Sequence, residues 1–265
     1  MRVLSCAACG APAEFTEAGA CRYCGALVRR GVSQWLLTRR HVEFAESFDT
    51  SGLGETTEEV GTDDPTIVHP KLDEQKAQFA SALGVEYGAF EAEFFDKTVT
   101  PVFLQMYSAW TRKAWGEVRH LLGDRLWESQ KFWIEAYDAK GLTNKLEDVK
   151  IDRIEAVRIE RDRYFESITV RVHAQCRDFT VDANGRTVGG RPNMHRRFTE
   201  YWTFVRSTAA KAPARGYEEK ACPNCGAPVD RMGQAAVCGY CNAKVSTGDF
   251  GWVLTLITQD EVYRG

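Results

Sequence analysis

The sequence predicts an α+β fold with a small cysteine-rich module at each end. Three observations carry that prediction. Between residues 71 and 141 apolar side chains recur with the spacing of helices. From Val149 to Arg206 they alternate with polar ones, the two-residue period of strands. Eight of the nine cysteines fall into four C-x-x-C pairs, two near each end of the chain.

The N-terminal pairs are Cys6/Cys9 and Cys21/Cys24; the C-terminal pairs are Cys222/Cys225 and Cys238/Cys241. Two cysteines three apart on a tight turn can reach one ion, and two such turns supply the four thiolates that a tetrahedral zinc site requires. The chain must bend sharply after each second cysteine. Gly10, Gly25 and Gly226 stand there, and Asn242 takes the fourth place; these residue types tolerate a left-handed backbone best. The expectation is two zinc ribbons and two zinc ions. Disulfides are disfavoured, because Met1 to Ser5 leave no room for a signal peptide and a cytoplasmic chain sits among reducing thiols. Cys176 stands apart at the end of an alternating run and reads as a buried structural thiol.

The two ends are copies of one module. Gly31 and Trp35 follow Cys24 by seven and eleven residues; Gly248 and Trp252 follow Cys241 at the same distances, and Ala-Pro follows the first pair in both copies. A ribbon of about twenty residues buries little apolar surface alone. Trp35 and Trp252, with the apolar residues after them, are therefore expected to anchor their ribbons on a central domain. Residues 43–64 carry eight acidic and no basic residues, the composition of a solvated tether. The predicted boundaries are 1–40 for the N-terminal ribbon plus a Trp strand, 41–70 for the acidic linker, 71–206 for the central domain, 207–216 for a second linker, and 217–265 for the C-terminal ribbon plus its Trp strand.

Within the central domain, Lys71 to Leu83 reads as a short helix. Phe90 to Leu122 reads as helical, with Pro101 either opening a second helix capped by Thr100 or kinking a single one. Gly123-Asp124 breaks this run, and Leu126, Trp127, Gln130, Trp133, Ile134 and Tyr137 line one face of the next helix until Gly141. Strands follow from Val149, with a turn at Arg161-Asp162, an Asn-Gly hairpin at Asp182–Gly185, and a last strand placing Phe198, Glu200, Trp202 and Phe204 on one face. A curved antiparallel sheet over helices makes a cone whose mouth is a natural pocket.

Four of these segments, Met106-Tyr-Ser-Ala-Trp110, Asn144–Ile151, Ile168–Ala174 and Glu200-Tyr-Trp-Thr-Phe-Val-Arg206, make the run from Phe90 to Arg206 resemble the domain of subunit 44 of the mitochondrial inner-membrane translocase and its bacterial relatives. The resemblance implies a cone-shaped fold of the nuclear-transport-factor-2-like or cystatin-like kind. It also implies a peripheral binding role, on membranes or partner proteins, with no known reaction.

Composition narrows the function. A net charge of −3, 44% hydrophobic and 27% charged residues describe a globular chain without a global basic field for nucleic acid. No apolar run reaches the roughly 18–20 residues that span a bilayer. The ribbons are poor in basic residues, which argues against base reading. No Ser-His-Asp pattern, phosphate-binding glycine loop or H-E-x-x-H motif is present. Glu200 is the one ionisable residue in phase with the apolar face of the last strand, and a tyrosine or tryptophan hydrogen bond, or a buried ion pair, is its expected fate. The cone is expected to hold an apolar cavity lined by Tyr107, Trp110, Trp133, Glu200, Trp202 and Phe204. The resulting expectation is a cytoplasmic, non-enzymatic zinc-binding adaptor that binds a protein partner or an apolar small molecule or lipid, with peripheral membrane contact open to it. The alternatives are a small-molecule enzyme using Glu200 and a nucleic-acid-associated factor acting through the ribbons.

Overall fold

The chain divides into two units, Met1–Asp49 and Thr50–Gly265. The computed structural model describes residues 64–265 apart from 212, 214, 215 and 218 and, in the first unit, residues 6, 9, 11, 14–16 and 20–26. Trp35 and most of the acidic linker lie outside the described residues.

In the second unit the helices come first. Helix α1 (Leu72–Leu83) ends at Gly84, whose φ of 67° closes it with a left-handed residue. The Glu86 carboxylate caps α2 (Tyr87–Phe94) by accepting from the N–H groups of Gly88 and Ala89 at 2.8 and 2.6 Å. A π turn, Phe95–Val99, joins α2 to α3 (Thr100–Thr111). Thr100 is fully helical and its N–H reaches back to the Phe95 carbonyl, so it caps nothing. Of the two sequence readings of Pro101, the single interrupted helix is the one found. Widening the turn ahead of the proline relieves the clash of its ring with the preceding carbonyl.

The helical run predicted to reach Leu122 stops at Thr111. Lys113 turns left-handed (φ 55°), and Trp115–Leu121 forms a 3-10 helix. The period explains the change: Trp115, Val118 and Leu121 are all buried and stand three apart, the repeat of a 3-10 helix. Helix α4 (Asp124–Ala139) then follows Gly123 as expected.

Strand β1 (Thr143–Arg161) begins six residues before the alternation becomes visible, because its opening residues are polar. It pairs antiparallel with β2 (Phe165–Val181), which pairs with β3 (Thr187–Gly190) at one end and with β4 (Arg196–Ser207) along the rest. The Asp162 carboxylate accepts from the N–H groups of Tyr164 and Phe165, closing the first hairpin. Three register shifts in the β1–β2 ladder curve the sheet; the left-handed Asp148 (φ 52°) lies in the first.

The fifth strand, β5 (Val253–Gln259), comes from the C-terminal module and pairs antiparallel with β4 from Val205–Val253 to Glu200–Gln259. This revises the boundaries read from sequence. The Trp strand is an edge strand of the central sheet, and the 217–265 segment is divided between ribbon and sheet. The end of the linker is tied to the sheet: Ile67 N–H donates to the Tyr201 hydroxyl at 2.9 Å and His69 N–H to the Val157 carbonyl at 2.9 Å.

The core lies between helices and sheet, where Phe103 packs on Trp202 (ring centroids 4.9 Å) and Phe94 on Phe204 (5.5 Å). The opposite face is closed by polar means. Arg171 pairs with Asp260 at 2.7 Å with both side chains 1% exposed, and Tyr263 stacks on Tyr201 at 3.7 Å.

Candidate metal centres and ligand cavity

The cysteine turns form as their spacing dictates. Cys21 N–H donates to the Ala26 carbonyl and Gly25 N–H to the Cys21 carbonyl; Cys222 with Gly226 and Ala227, and Cys238 with Asn242 and Ala243, repeat the pattern. Gly25 (φ 69°), Gly226 (φ 71°) and Asn242 (φ 58°) are all left-handed, which lets the chain fold back beneath the sulfur pair. Cys6, Cys9, Cys21 and Cys24 form one four-cysteine group, and Cys222, Cys225, Cys238 and Cys241 form the other. Sγ–Sγ distances are 3.8 Å for Cys6–Cys24, Cys9–Cys21 and Cys222–Cys241, and 3.9 Å for Cys225–Cys238. Four ligands about 2.3 Å from a central ion stand about 3.8 Å apart. The donor set and its dimensions therefore fit one four-coordinate ion per group, and all eight predicted ligands are brought together.

The C-terminal ribbon is docked on the helices of the second unit. Arg119, 2% exposed, donates to the Gln234 carbonyl at 2.6 Å and the Leu122 carbonyl at 2.8 Å, and pairs with Asp124. Asp124 also accepts from Lys244 and Ser246, each at 2.8 Å. Trp252 is buried, 5.1 Å from Phe94, with the Arg206 guanidinium 4.5 Å from its ring. Arg206 is itself fixed by Glu166, a buried carboxylate held at 2.7 Å by Arg206 and 2.9 Å by Arg161. The anchor role expected of Trp252 is thus realised; that of Trp35 falls outside the described residues.

A cavity of about 360 Å³ opens between α3, α4 and the sheet. Tyr107, Trp110, Glu200 and Trp202 line it as predicted. Trp133 and Phe204 do not. Trp133 packs edge-on against Phe132 on α4, and Phe204 is fully buried in the core, its ring packed edge-on against Phe94. The cavity is also more polar than predicted: Gln130, Asn144, Asp178, Arg196 and Gln259 join the lining, with Cys176 and Phe198. Strand parity carried part of this signal. Cys176 and Asp178 share a face of β2, and Cys176 pairs with Arg196 on β4. Gln259 could not be found that way, since it needs β5 to be in the sheet.

The polar groups are organised. Glu200 Oε2 accepts from the Trp202 indole at 2.9 Å and the Tyr107 hydroxyl at 3.2 Å, and Oε1 accepts from Gln259 at 2.9 Å. The hydrogen-bonded fate expected of Glu200 is the one found. Asp178 is held by Arg196 at 3.0 Å and by the Asn144 amide at 2.8 Å, while the Asn144 oxygen accepts from the Trp110 indole at 2.8 Å. Gly190 sustains this corner: at φ 70°, a side chain there would meet the Asp178 carbonyl. Burial, reinforced by the Asp178 charge, pushes the Cys176 thiol up to about 12, so it stays protonated. Burial and the charge of Glu200 hold the Tyr107 phenol well above its ordinary range.

Residues 77–217, slightly more than half of the chain, match the Tim44-like domain. The chain belongs to the Tim44-like domain family. The match runs from within α1 to the far side of β4 and so takes in the helices and strands that form the cavity. No curated protein matches the chain. Beyond the matched residues, β5 extends the sheet, and a four-cysteine group lies in the chain between β4 and β5. Among the described residues, no helix is long and apolar enough to cross a membrane.

Proposed function

We propose that this Tim44-like protein is a non-catalytic, zinc-stapled binding scaffold of the cytoplasm, whose cone cavity receives a small organic ligand or the side chain of a partner protein. Zinc is the ion assigned to both four-cysteine groups, because an all-thiolate tetrahedron with about 3.8 Å edges suits it. The observation that carries the binding reading is the cavity itself. Its volume of about 360 Å³ lies within the range of ligand pockets, and it joins aromatic walls to a few fixed polar groups. Each carboxylate already has partners, so these groups orient a ligand instead of exchanging protons with it. General acid–base work needs a titratable group free to reach the reacting atom.

One observation favours the enzymatic alternative: Asp178 places a second carboxylate in the cavity with Glu200. Against it, Asp178 is neutralised by Arg196, and among the described residues no histidine lines the cavity. The test is to purify the protein from its own cells, extract it under denaturing conditions, and identify small molecules by mass spectrometry. A molecule should leave with the wild type and not with a folded Leu146→Trp variant, which fills the cavity. Incubation with excess protein should return that molecule unchanged. Turnover abolished by Glu200→Gln would replace the binding reading with the enzymatic one.

A further inference from the structure

Five aromatic side chains face the cavity: Tyr107, Trp110, Trp115, Phe198 and Trp202. Among the described residues three charged side chains face it with them, and they do not balance. Arg196 and Asp178 form an ion pair at 3.0 Å, which leaves Glu200 as the uncompensated charge. The three hydrogen bonds to Glu200 come from a phenol, an indole and an amide, all neutral donors. They hold the carboxylate in place without cancelling its charge. No lysine or histidine among the described residues lines the cavity. A carboxylate without a counter-ion among five aromatic side chains makes a negative site with apolar walls.

We infer that the ligand of this cavity is an organic cation: a quaternary or alkylated ammonium group on an apolar body, bound against the aromatic walls beside Glu200. This deepens the binding reading proposed above and rests on it. The alternatives meet physical objections in the same site. An anion would face Glu200, with its one possible partner among the lining residues, Arg196, already engaged. A neutral apolar ligand would strip water from Glu200 and return no charge to it. A primary ammonium would hydrogen-bond well but lose its strong hydration; an alkylated one has less hydration to lose and more surface for the rings. The upward displacement of the Tyr107 phenol and the Cys176 thiol agrees with a negative interior: after burial, the charge of Glu200 contributes to the first and that of Asp178 to the second.

The experiment uses the full, metal-loaded chain and three probes of similar size: phenyltrimethylammonium, its uncharged isostere tert-butylbenzene, and benzoate. Binding is measured by isothermal titration calorimetry. The cation should bind at least tenfold more tightly than tert-butylbenzene, and benzoate should be weakest. Glu200→Gln should erase the preference for the cation while leaving tert-butylbenzene unchanged. Arg196→Met, which frees a second carboxylate, should tighten the cation further, and it decides the matter if the Glu200 variant does not fold. Equal or tighter binding of tert-butylbenzene or benzoate, or an Arg196→Met variant with unchanged or weaker cation binding, would overturn the cation assignment and leave a binding cavity of other specificity. Failure of all three probes to bind overturns the assignment as well. If the protein from its own cells then also carries no small molecule, the binding reading falls with it.

Discussion

His120 makes stability depend on pH in a way that can be worked from the structure. It lies on the 3-10 helix, 5% exposed, beneath the segment that leads into the C-terminal ribbon, and among the described residues only the Glu117 backbone stands near enough to its ring to offset that burial. Burial pushes its pKa down from 6.5 to about 4, opposed only in part by the nearby Glu117 backbone. The unfolded chain therefore binds a proton between about pH 6.5 and 4 that the folded one refuses, so stability falls as pH falls through that window. Above pH 6.5 the imidazole is neutral in both states and contributes no penalty. Below about pH 4 it is charged in both and the loss levels off. Each tenfold loss of proton affinity on folding is worth about 1.4 kcal/mol, so the full effect is about 3 kcal/mol. The variant is His120→Leu, which keeps the volume and removes the titration. Urea unfolding of both proteins at half-unit steps from pH 7.5 to 4 isolates the effect as the difference between them, since acid release of metal is common to both. The wild type should lose up to about 3 kcal/mol relative to the variant by pH 4. A constant difference across the range would show that His120 protonates without cost and would refute the assignment of a dry site that disfavours the charged ring.

Removing Trp252 should be severe: Trp252→Ala takes away a buried ring packed on Phe94 and Arg206, a change that typically costs about 3–5 kcal/mol, measured by denaturant midpoint at constant m-value. Metal analysis should give two zinc ions per chain, falling to one in Cys6→Ser and one in Cys238→Ser. The Cys238 change should also lower the melting temperature of the sheet, because the second four-cysteine group lies in the chain between β4 and β5. Arg171→Met should cost about 3–5 kcal/mol by stranding Asp260 in the interior, and the double variant Arg171→Met/Asp260→Leu should recover most of it, which a double-mutant cycle measures.

What the sequence revealed and what it hid divide along the range of the interactions. The cysteine turns were legible down to backbone conformation, because a C-x-x-C turn is closed by its own neighbours; Asn242 is left-handed where the spacing required a glycine substitute. Glu200 was legible by strand parity, and its tyrosine and tryptophan partners follow from the aromatic face it shares. The 3-10 helix was readable only in part, since Trp115, Val118 and Leu121 fit a repeat of three as well as a loose helical one. The rest depends on pairings across long stretches of chain. Nothing local in Val253–Gln259 says that it completes a sheet begun a hundred residues earlier. That one pairing gives Glu200 its third donor, Gln259, and sets Asp260 on Arg171.

The same pairing bears on how the ribbon and the cavity are connected. Trp252 immediately precedes β5 and is tied through Arg206 and Glu166 to the sheet, and Gln259 ends the strand, tied to the cavity carboxylate. A shift of β5 along β4 by one residue would turn Gln259 to the other face of the sheet and withdraw its hydrogen bond from Glu200. The second four-cysteine group fixes the chain just before that strand, and the buried Arg171–Asp260 pair fixes it just after. Both clamps lie outside the cavity, yet they hold the register on which its electrostatics depend. An ion held by that group would staple the strand that completes the cavity.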